Sequence, residues 1–317
     1  MPHMGRLVGM DEAGYGPNLG PLVVAATCWD TPGDPAAFDG WVEFETIIGQ
    51  PPVDASRIAV GDSKKVYKPG GSLDRLETTV LAFLQLCGLQ PGTLGELCQV
   101  LGGKPHCVLE NVPWFASDDL SLPTAASTDL VERFATRWRH ACEQLEIAPP
   151  SAGVTVLTAA AYNRAVTETD NKAIVLSQSS LGLLARLVDP DDSRPTFVQG
   201  DKHGGRNRYD ELLCEAFGDR LVMRQQEGAA CSRYRLGSME VVFEPRSERH
   251  FPVALASMLA KYIRELAMDA FNGFWLEACP GIRPTRGYPV DARRFRDEVG
   301  RRLDELGIPE EVFWRQR

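Results

Sequence analysis

The hydrophobic pattern begins with two short apolar segments on either side of a glycine-rich turn. Residues 6–10 and residues 21–29 (PLVVAATCW) have the composition of β-strands, and the heptapeptide GYGPNLG stands between them. Glycine, asparagine and proline favour a chain reversal because each suits a particular turn conformation. The pattern therefore predicts a β-hairpin.

The rest of the chain alternates between helical and strand-like segments. The apolar spacing predicts helices at 73–86, 129–145, 171–188, 209–217, 253–274 and 291–306, and strands at 154–158, 196–200, 221–224 and 239–243. Interleaved strands and helices are typical of an α/β domain with a mixed sheet flanked by helices.

Two segments lie outside this regular alternation. Glycine and proline punctuate the stretch at about residues 88–127, which predicts an insertion. We expect residues 1–275 to form one domain that contains the insertion, and residues 276–317 to form a C-terminal helical extension packed on that domain.

The composition predicts a soluble, cytoplasmic protein without a membrane partner. The 317 residues are 44% hydrophobic and include no run of eighteen apolar residues. The opening residues MPHMGR lack the apolar stretch of a secretory signal. Eight cysteines are scattered without a CxxC pair, a pattern typical of reduced thiols.

The net charge of −9 argues against a generic nucleic-acid binder, because phosphate binding requires lysine and arginine. Basic residues nevertheless cluster locally, at Lys64, Lys65 and Lys68, at Lys202, Arg206 and Arg208, and at Arg224, Arg233 and Arg235. A nuclease that holds divalent cations also needs an acidic centre. The charge pattern is therefore compatible with a metal-dependent nuclease.

Acidic residues stand at the ends of two predicted strands. Asp11 and Glu12 follow the first strand, and Asp201 follows the strand at 196–200. A desolvated carboxylate is costly unless it binds a cation or a basic partner. The three glycines at 14, 16 and 20 nearly match a dinucleotide-binding motif, but their spacing is one residue too long, and the two acids would repel a pyrophosphate.

Several segments, in their order along the chain, resemble the type 2 ribonuclease H family (ribonuclease HII). The hairpin DEAGYGPNLGPLVV is similar to the family's DEAGRGPLAGPVV, and residues 62–65 match its DSKK turn. The segment NKAIVLSQSSLGLLARLV is similar to its helix NILQASLLAMRRAV, and a strand-end aspartate, here Asp201, follows. The helix ASMLAKYIRE is similar to ASILAKVTRD, and residues 286–288 (RGY) stand in place of KGY. The resemblance covers most of the chain outside residues 88–127.

This resemblance implies a ribonuclease H-like mixed sheet flanked by helices, with four carboxylates around two Mg²⁺ or Mn²⁺ ions. Carried over residue by residue, the catalytic and metal-binding residues are Asp11, Glu12, Asp201 and Glu265. The implied substrate-binding residues are Gly14, Tyr15, Gly16, Ser63, Lys64, Lys65, Lys202, Arg206 and Tyr288. The implied reaction hydrolyses the RNA strand of RNA/DNA hybrids and leaves 3′-hydroxyl and 5′-phosphate ends. No obligate protein partner is expected.

The sequence departs from the family pattern at three positions. Tyr15 replaces an arginine, which removes a charged donor from the glycine turn. Glu265 replaces an aspartate and is one methylene longer. A strict alignment places Gln199 at the third carboxylate, whereas Asp201 stands two residues on and would face the same side of the strand.

Two other functions compete with a hybrid-specific endonuclease. A nuclease of the same fold could act on another structured nucleic acid, as Tyr15 and the insertion suggest. A catalytically weak nucleic-acid-binding module is the non-enzymatic alternative, but its four acids would repel phosphate without metal.

Overall fold

The computed structural model describes residues 4–68, 70–103, 109, 112–116, 120–218 and 220–316. Its strands are β1 (Met4–Ala13), β2 (Leu22–Pro32), β3 (Ile48–Gly49), β4 (Ile58–Ala59), β5 (Ser151–Leu157), β6 (Thr196–Gly200), β7 (Met223–Glu227), β8 (Ser232–Leu236) and β9 (Met239–Phe243). Its helices are α1 (Gly40–Glu43), α2 (Ser63–Val66), α3 (Asp74–Leu86), α4 (Leu94–Gly102), α5 (Thr128–Gln144), α6 (Ala159–Thr169), α7 (Lys172–Leu187), α8 (Asp210–Phe217), α9 (Phe251–Ala278), α10 (Pro289–Glu305) and α11 (Glu310–Phe313).

A seven-stranded mixed sheet organises the molecule, with the strand order β5-β2-β1-β6-β9-β8-β7. The hairpin strands β1 and β2 are antiparallel, whereas β1, β6 and β9 run parallel to one another. Parallel neighbours require long crossover connections, which the helices between these strands supply. The predicted mixed sheet flanked by helices is confirmed.

Each face of the sheet is covered by its own apolar core. Alternate residues of β1 point to opposite faces, so Leu7 packs into the core with α3, α5 and α9. Val8 and Met10 pack into the second core with α7 and α8. A third cluster joins Trp275 of α9 to α10 and α11. The sheet is therefore buried on both sides at β1, the strand that carries Asp11 and Glu12.

The long helix α9 lies directly against β1. A Cβ atom added to Gly9 would come within 2.2 Å of the Pro252 carbonyl carbon, so only glycine permits this backbone approach. The side chain of Thr27 on β2 fixes the same helix end by donating to the Pro252 carbonyl at 2.9 Å. This packing brings the middle of α9 beside the end of β1.

The predicted elements match most of the observed ones. The hairpin, β6 and β9 occur where expected, while α4, α6 and β8 were not predicted. Helix α4 lies inside the segment interpreted as an insertion, of which residues 104–108, 110–111 and 117–119 lie outside the described residues. No helix in the described part of the chain is long and apolar enough to cross a membrane.

Candidate active site

Three carboxylates meet at one edge of the sheet. Met10 pairs with Gly200 in the parallel register of β1 and β6, so Asp11 and Asp201 are the next residues of two adjacent strands. Glu12 follows Asp11 and lies on the opposite face, because side chains alternate along a strand. The side chains of all three residues remain partly exposed.

A fourth carboxylate, Glu248, joins this edge from the turn between β9 and α9. The neighbouring Ser247 is buried, and its hydroxyl donates to the Gly200 carbonyl at 2.9 Å. This bond fixes the turn against the end of β6. The negative charge of Glu248 contributes to raising the pKa of Asp11, Glu12 and Asp201. We refer to Asp11, Glu12, Asp201 and Glu248 as the acid cluster.

The acid cluster contains excess negative charge. Burial raises the pKa of Asp11 to about 7, with further contributions from Glu248 and Asp201. Burial, followed by the charge of Asp11, holds the pKa of Glu12 well above its usual range. The pKa of Asp201 is also raised, mainly by burial. Clustered carboxylates with raised pKa values are typical of sites that bind a cation.

Glu265 does not belong to the acid cluster, contrary to the expectation from the family pattern. It is buried on α9 and pairs with Lys261 at 2.5 Å and with Arg286 at 2.5 Å. The buried guanidinium of Arg264 lies 3.6 Å away. Three cations neutralise this carboxylate, whereas Glu248 acts electrostatically on Asp11, Glu12 and Asp201.

Glu248, which the sequence motifs did not identify, had a signal in the sequence. Strand β9 is parallel to β6, so its carboxyl end reaches the same sheet edge as Asp201. Glu244 and Glu248 both follow this strand. Glu244 is paired with Arg249 at 2.6 Å, so the charge of Glu248 is the one that acts on Asp11 and Asp201.

The DSKK turn lies beside the acid cluster. Asp62 caps α2 by accepting from the Lys64 backbone N–H at 3.0 Å. The hydroxyl oxygens of Ser63 and Ser257 lie 3.3 Å apart, and the Ser257 hydroxyl donates to Asp11, which lowers the pKa of that carboxyl. Lys64 lowers the pKa of Glu12 and Asp201 through its positive charge. Ser63 therefore supports the site from within, and the exposed Lys64 faces it.

The ammonium group of Lys202, which is expected to contact substrate, is held by four protein acceptors. Its ammonium group donates to the Gly228 carbonyl at 2.7 Å and to the Asn207 and Ser232 side chains at 2.9 Å each. The same group also bonds the Arg206 carbonyl at 3.2 Å. An ammonium group has three donor hydrogens, so these acceptors occupy it fully.

The glycine turn is held by segments from the far end of the chain. Gly14 adopts φ +91°, and a Cβ atom there would lie 2.4 Å from the Pro21 carbonyl oxygen. The buried Arg315 donates to the Gly14 carbonyl at 2.5 Å, and burial lowers the pKa of its guanidinium to about 10. The Gly287 carbonyl accepts from the backbone N–H of Asn18 at 2.7 Å. The turn next to Glu12 is therefore rigidly supported.

The expected substrate-binding residues differ in their exposure. Tyr15 is half-buried, and the ammonium of Lys172 lies 5.0 Å from the centre of its ring. A Cβ atom added to Gly204 would lie 2.9 Å from the Tyr15 hydroxyl, so this ring packs tightly on one side. Gly16 and Tyr288 are exposed, and Tyr288 caps α10. Among the described residues, the buried Nε atom of Arg206 has no hydrogen-bond partner.

The donor set suits a hard divalent cation. Oxygen ligands from carboxylates are those that Mg²⁺ and Mn²⁺ prefer. Within the described ranges, no group of three or more His, Cys, Asp or Glu side chains is arranged closely enough to hold a metal ion as it stands. The acid cluster thus has the donor chemistry and the charge that suit such a cation.

Similarity to known proteins was found among solved structures. No protein-family profile and no curated protein matches this chain. Among solved structures, a ribonuclease HII from Archaeoglobus fulgidus, in a complex with PCNA, matches 98% of this chain and 94% of its own at 16% identity and a TM-score of 0.43.

Two further solved structures give similar values. A ribonuclease H2 from Pyrococcus horikoshii matches 97% of this chain and 92% of its own at 13% identity and a TM-score of 0.43. Bst-RNase HIII in complex with Mn²⁺ matches 98% of this chain and 66% of its own at 15% identity and a TM-score of 0.43. Such distant similarity carries no inference about activity, which has to come from the residues of the site.

Proposed function

We propose that this protein is a metal-dependent nuclease that hydrolyses the RNA strand of RNA/DNA hybrids. The observation that carries the proposal is the acid cluster, in which four carboxylates from three separate segments meet at one partly exposed sheet edge. Uncompensated carboxylates destabilise a fold, so their convergence suggests a function.

The proposed cofactor is a pair of Mg²⁺ or Mn²⁺ ions held by the acid cluster. Divalent ions at such a site supply Lewis-acid chemistry for phosphodiester hydrolysis. Asp11 interacts electrostatically with Glu12, Asp201 and Glu248, so it would serve as a ligand together with them. Its hydrogen bond from Ser257 orients the carboxylate and helps to keep it ionised.

The surroundings of the acid cluster suit a nucleic-acid backbone. Lys64 and Lys65 are exposed on α2 and offer point charges for phosphates. Gly16 is exposed, and a Cβ atom there would meet nothing within 4 Å, so a sugar–phosphate strand can approach the backbone closely. The exposed ring of Tyr288 is proposed to contact the ribose whose 2′-hydroxyl distinguishes RNA.

Cleavage of end-labelled duplexes of one sequence tests the proposal. RNA/DNA hybrid, duplex RNA and duplex DNA are each incubated with Mg²⁺, Mn²⁺ or EDTA. We expect cuts only in the RNA strand of the hybrid, only with metal, and with 5′-phosphate ends. Cleavage in EDTA would contradict the metal requirement, and equal cleavage of another duplex would indicate the alternative substrate. Hybrid binding without any cleavage would indicate a binding module.

A further inference from the structure

A polar cavity of about 450 Å³ lies on the α9 face of the sheet, away from the acid cluster. Its floor is formed by Leu7, Phe197 and Gln199, and its walls by the segment 35–41 and the start of α9. Cavities of this size accommodate small organic ligands. The turn that carries Glu248 separates the cavity from the acid cluster, because Glu244 and His250 of the same turn line the cavity.

A largely buried amide faces this cavity. Gln199 is 8% exposed, and its side chain lines the cavity. Its oxygen and nitrogen together offer one acceptor and one donor group side by side, which matches the edge of a heterocyclic ring.

Aromatic side chains border the same cavity. The indole N–H of Trp41 donates to the Arg249 carbonyl at 2.8 Å, and its ring packs edge-on against Phe251 at 5.7 Å between centroids. These contacts fix the orientation of Trp41 before any ligand arrives. Phe197 is half-buried and presents a second ring from the floor. Fixed rings favour a planar ligand, since little side-chain entropy is lost on binding.

The charges around the cavity argue for an uncharged ligand. The guanidinium of Arg249 pairs with Glu244 at 2.6 Å, and that of Arg233 pairs with Glu240 at 2.6 Å. His250 shares the Glu244 carboxylate at 2.6 Å. The lining cations are therefore already matched by carboxylates, so the cavity is not built to attract a phosphate.

We propose that this cavity binds a single nucleobase, with the Gln199 amide at its hydrogen-bonding edge and Phe197 and Trp41 as its aromatic contacts. The planar, uncharged character of the ligand follows from the cavity itself. The choice of a nucleobase among such heterocycles rests on the proposed nuclease function. The base belongs either to a free nucleoside or to an unpaired end of a bound strand.

Calorimetric titration of the full chain with nucleosides in EDTA tests this inference without any cleavage step. Adenosine, guanosine, cytidine and uridine are compared with ribose and with inorganic phosphate. We expect at least one nucleoside to bind with a Kd of about 1 mM or lower, and ribose and phosphate not to bind. Gln199→Leu should weaken binding at least about tenfold, whereas Gln226→Leu on the exposed strand β7 should leave it unchanged.

A second variant protects the test against a folding failure of Gln199→Leu. Phe197→Leu keeps an apolar floor but removes the ring, and we expect it to weaken nucleoside binding several-fold. Hybrids with single-stranded overhangs and hybrids with blunt ends then distinguish a strand end from a free nucleoside as the source of the base. A hybrid with overhangs should bind more tightly than a blunt-ended one only if a strand end enters the cavity. The inference would be overturned if no nucleoside binds or if only phosphate binds. It would also be overturned if both cavity variants bind nucleosides as tightly as the wild-type protein does. Nucleoside binding is measured in EDTA without cleavage, so a failure of hybrid cleavage would contradict the proposed nuclease function but not nucleoside binding by the cavity.

Discussion

Glu265 on α9 and the acid cluster beside α9 have opposite surroundings. Glu265 is fully buried and is neutralised by Lys261, Arg264 and Arg286. Asp11 and its neighbours are partly exposed, and the exposed Lys64 acts electrostatically on Glu12 and Asp201. The ion pairs of Glu265 are compatible with a stable fold. Mutual repulsion in the acid cluster lowers the stability of the fold, and a bound cation would offset that loss. Burial alone therefore does not distinguish a structural carboxylate from a candidate metal ligand. The balance of charge around the carboxylate does distinguish them.

The largest effect is expected for Asp11→Asn, which should abolish cleavage. An amide cannot supply the negative charge that two cations require, and loss of a charge-stabilising group typically costs about 10²–10³ in kcat. The melting temperature in EDTA should stay equal or rise, because the substitution relieves repulsion within the acid cluster. Asp297→Asn on the exposed side of α10 is the matched control. Retention of more than about a tenth of wild-type turnover would refute the assignment.

Glu248→Gln should lower turnover, whereas Glu265→Gln should lower stability. Glu248→Gln removes a ligand and should reduce turnover about 100-fold or more at unchanged stability. Glu265→Gln breaks a buried ion-pair network and should lower the free energy of unfolding by about 3 kcal/mol. Thermal melts and single-turnover rates of both variants measure this contrast. If Glu265→Gln abolishes cleavage in a protein of normal stability, the original family assignment of the fourth acid is correct.

Asp201→Asn and Gln199→Ala compare the two candidate positions for the third acid. Asp201 acts electrostatically on Asp11 and Glu12, while Gln199 faces the cavity on α9's side. We therefore expect Asp201→Asn to lose most activity and Gln199→Ala to retain more than half of it, measured on the same hybrid. A crippled Gln199→Ala variant would show that the register is wrong.

The pH dependence of stability should reveal the charge of the acid cluster. The pKa of Asp11 is raised to about 7 in the folded protein, from an ordinary value of 3.8. Because its pKa is raised on folding, Asp11 binds its proton more tightly in the folded protein, and protonation of Asp11 therefore stabilises the fold. This stabilisation is fully present below pH 3.8 and is lost as the pH rises through about 7. In EDTA, the melting temperature of wild type should fall over this range relative to Asp11→Asn. Parallel curves for the two proteins would contradict this.

The smallest effect is expected at Tyr15, where the family has an arginine. A tyrosine offers one hydroxyl and an aromatic face, so phosphate contacts at an isolated ribonucleotide should be weaker than with a guanidinium. We predict faster cleavage of RNA tracts than of single ribonucleotides in DNA, and a partial, few-fold recovery of the latter in Tyr15→Arg. Tyr15→Phe tests the packing contribution of the ring. Equal wild-type rates on both substrates would disprove the preference.

The sequence by itself determined most of the long elements. The apolar residues of β1 and β2 and the glycines between them define the hairpin, and the 3.6-residue spacing defines α7 and α9. Short amphipathic segments such as β8 (SRYRL) escaped prediction because their polar residues are as frequent as their apolar ones. Strand pairing depends on partners that lie far away in the chain, so a short strand has little signal of its own.

Only the tertiary structure decided which acids share a site. Glu77 is also buried, yet it accepts backbone N–H groups from Ala125 at 2.6 Å and Ala126 at 2.7 Å, together with the Tyr262 hydroxyl at 2.6 Å. Sequence spacing cannot distinguish such a satisfied carboxylate from Glu248, whose charge faces Asp11 from another segment of the chain. The difference depends on which donors surround each carboxylate, and long-range packing of α9 against β1 and β6 sets those surroundings.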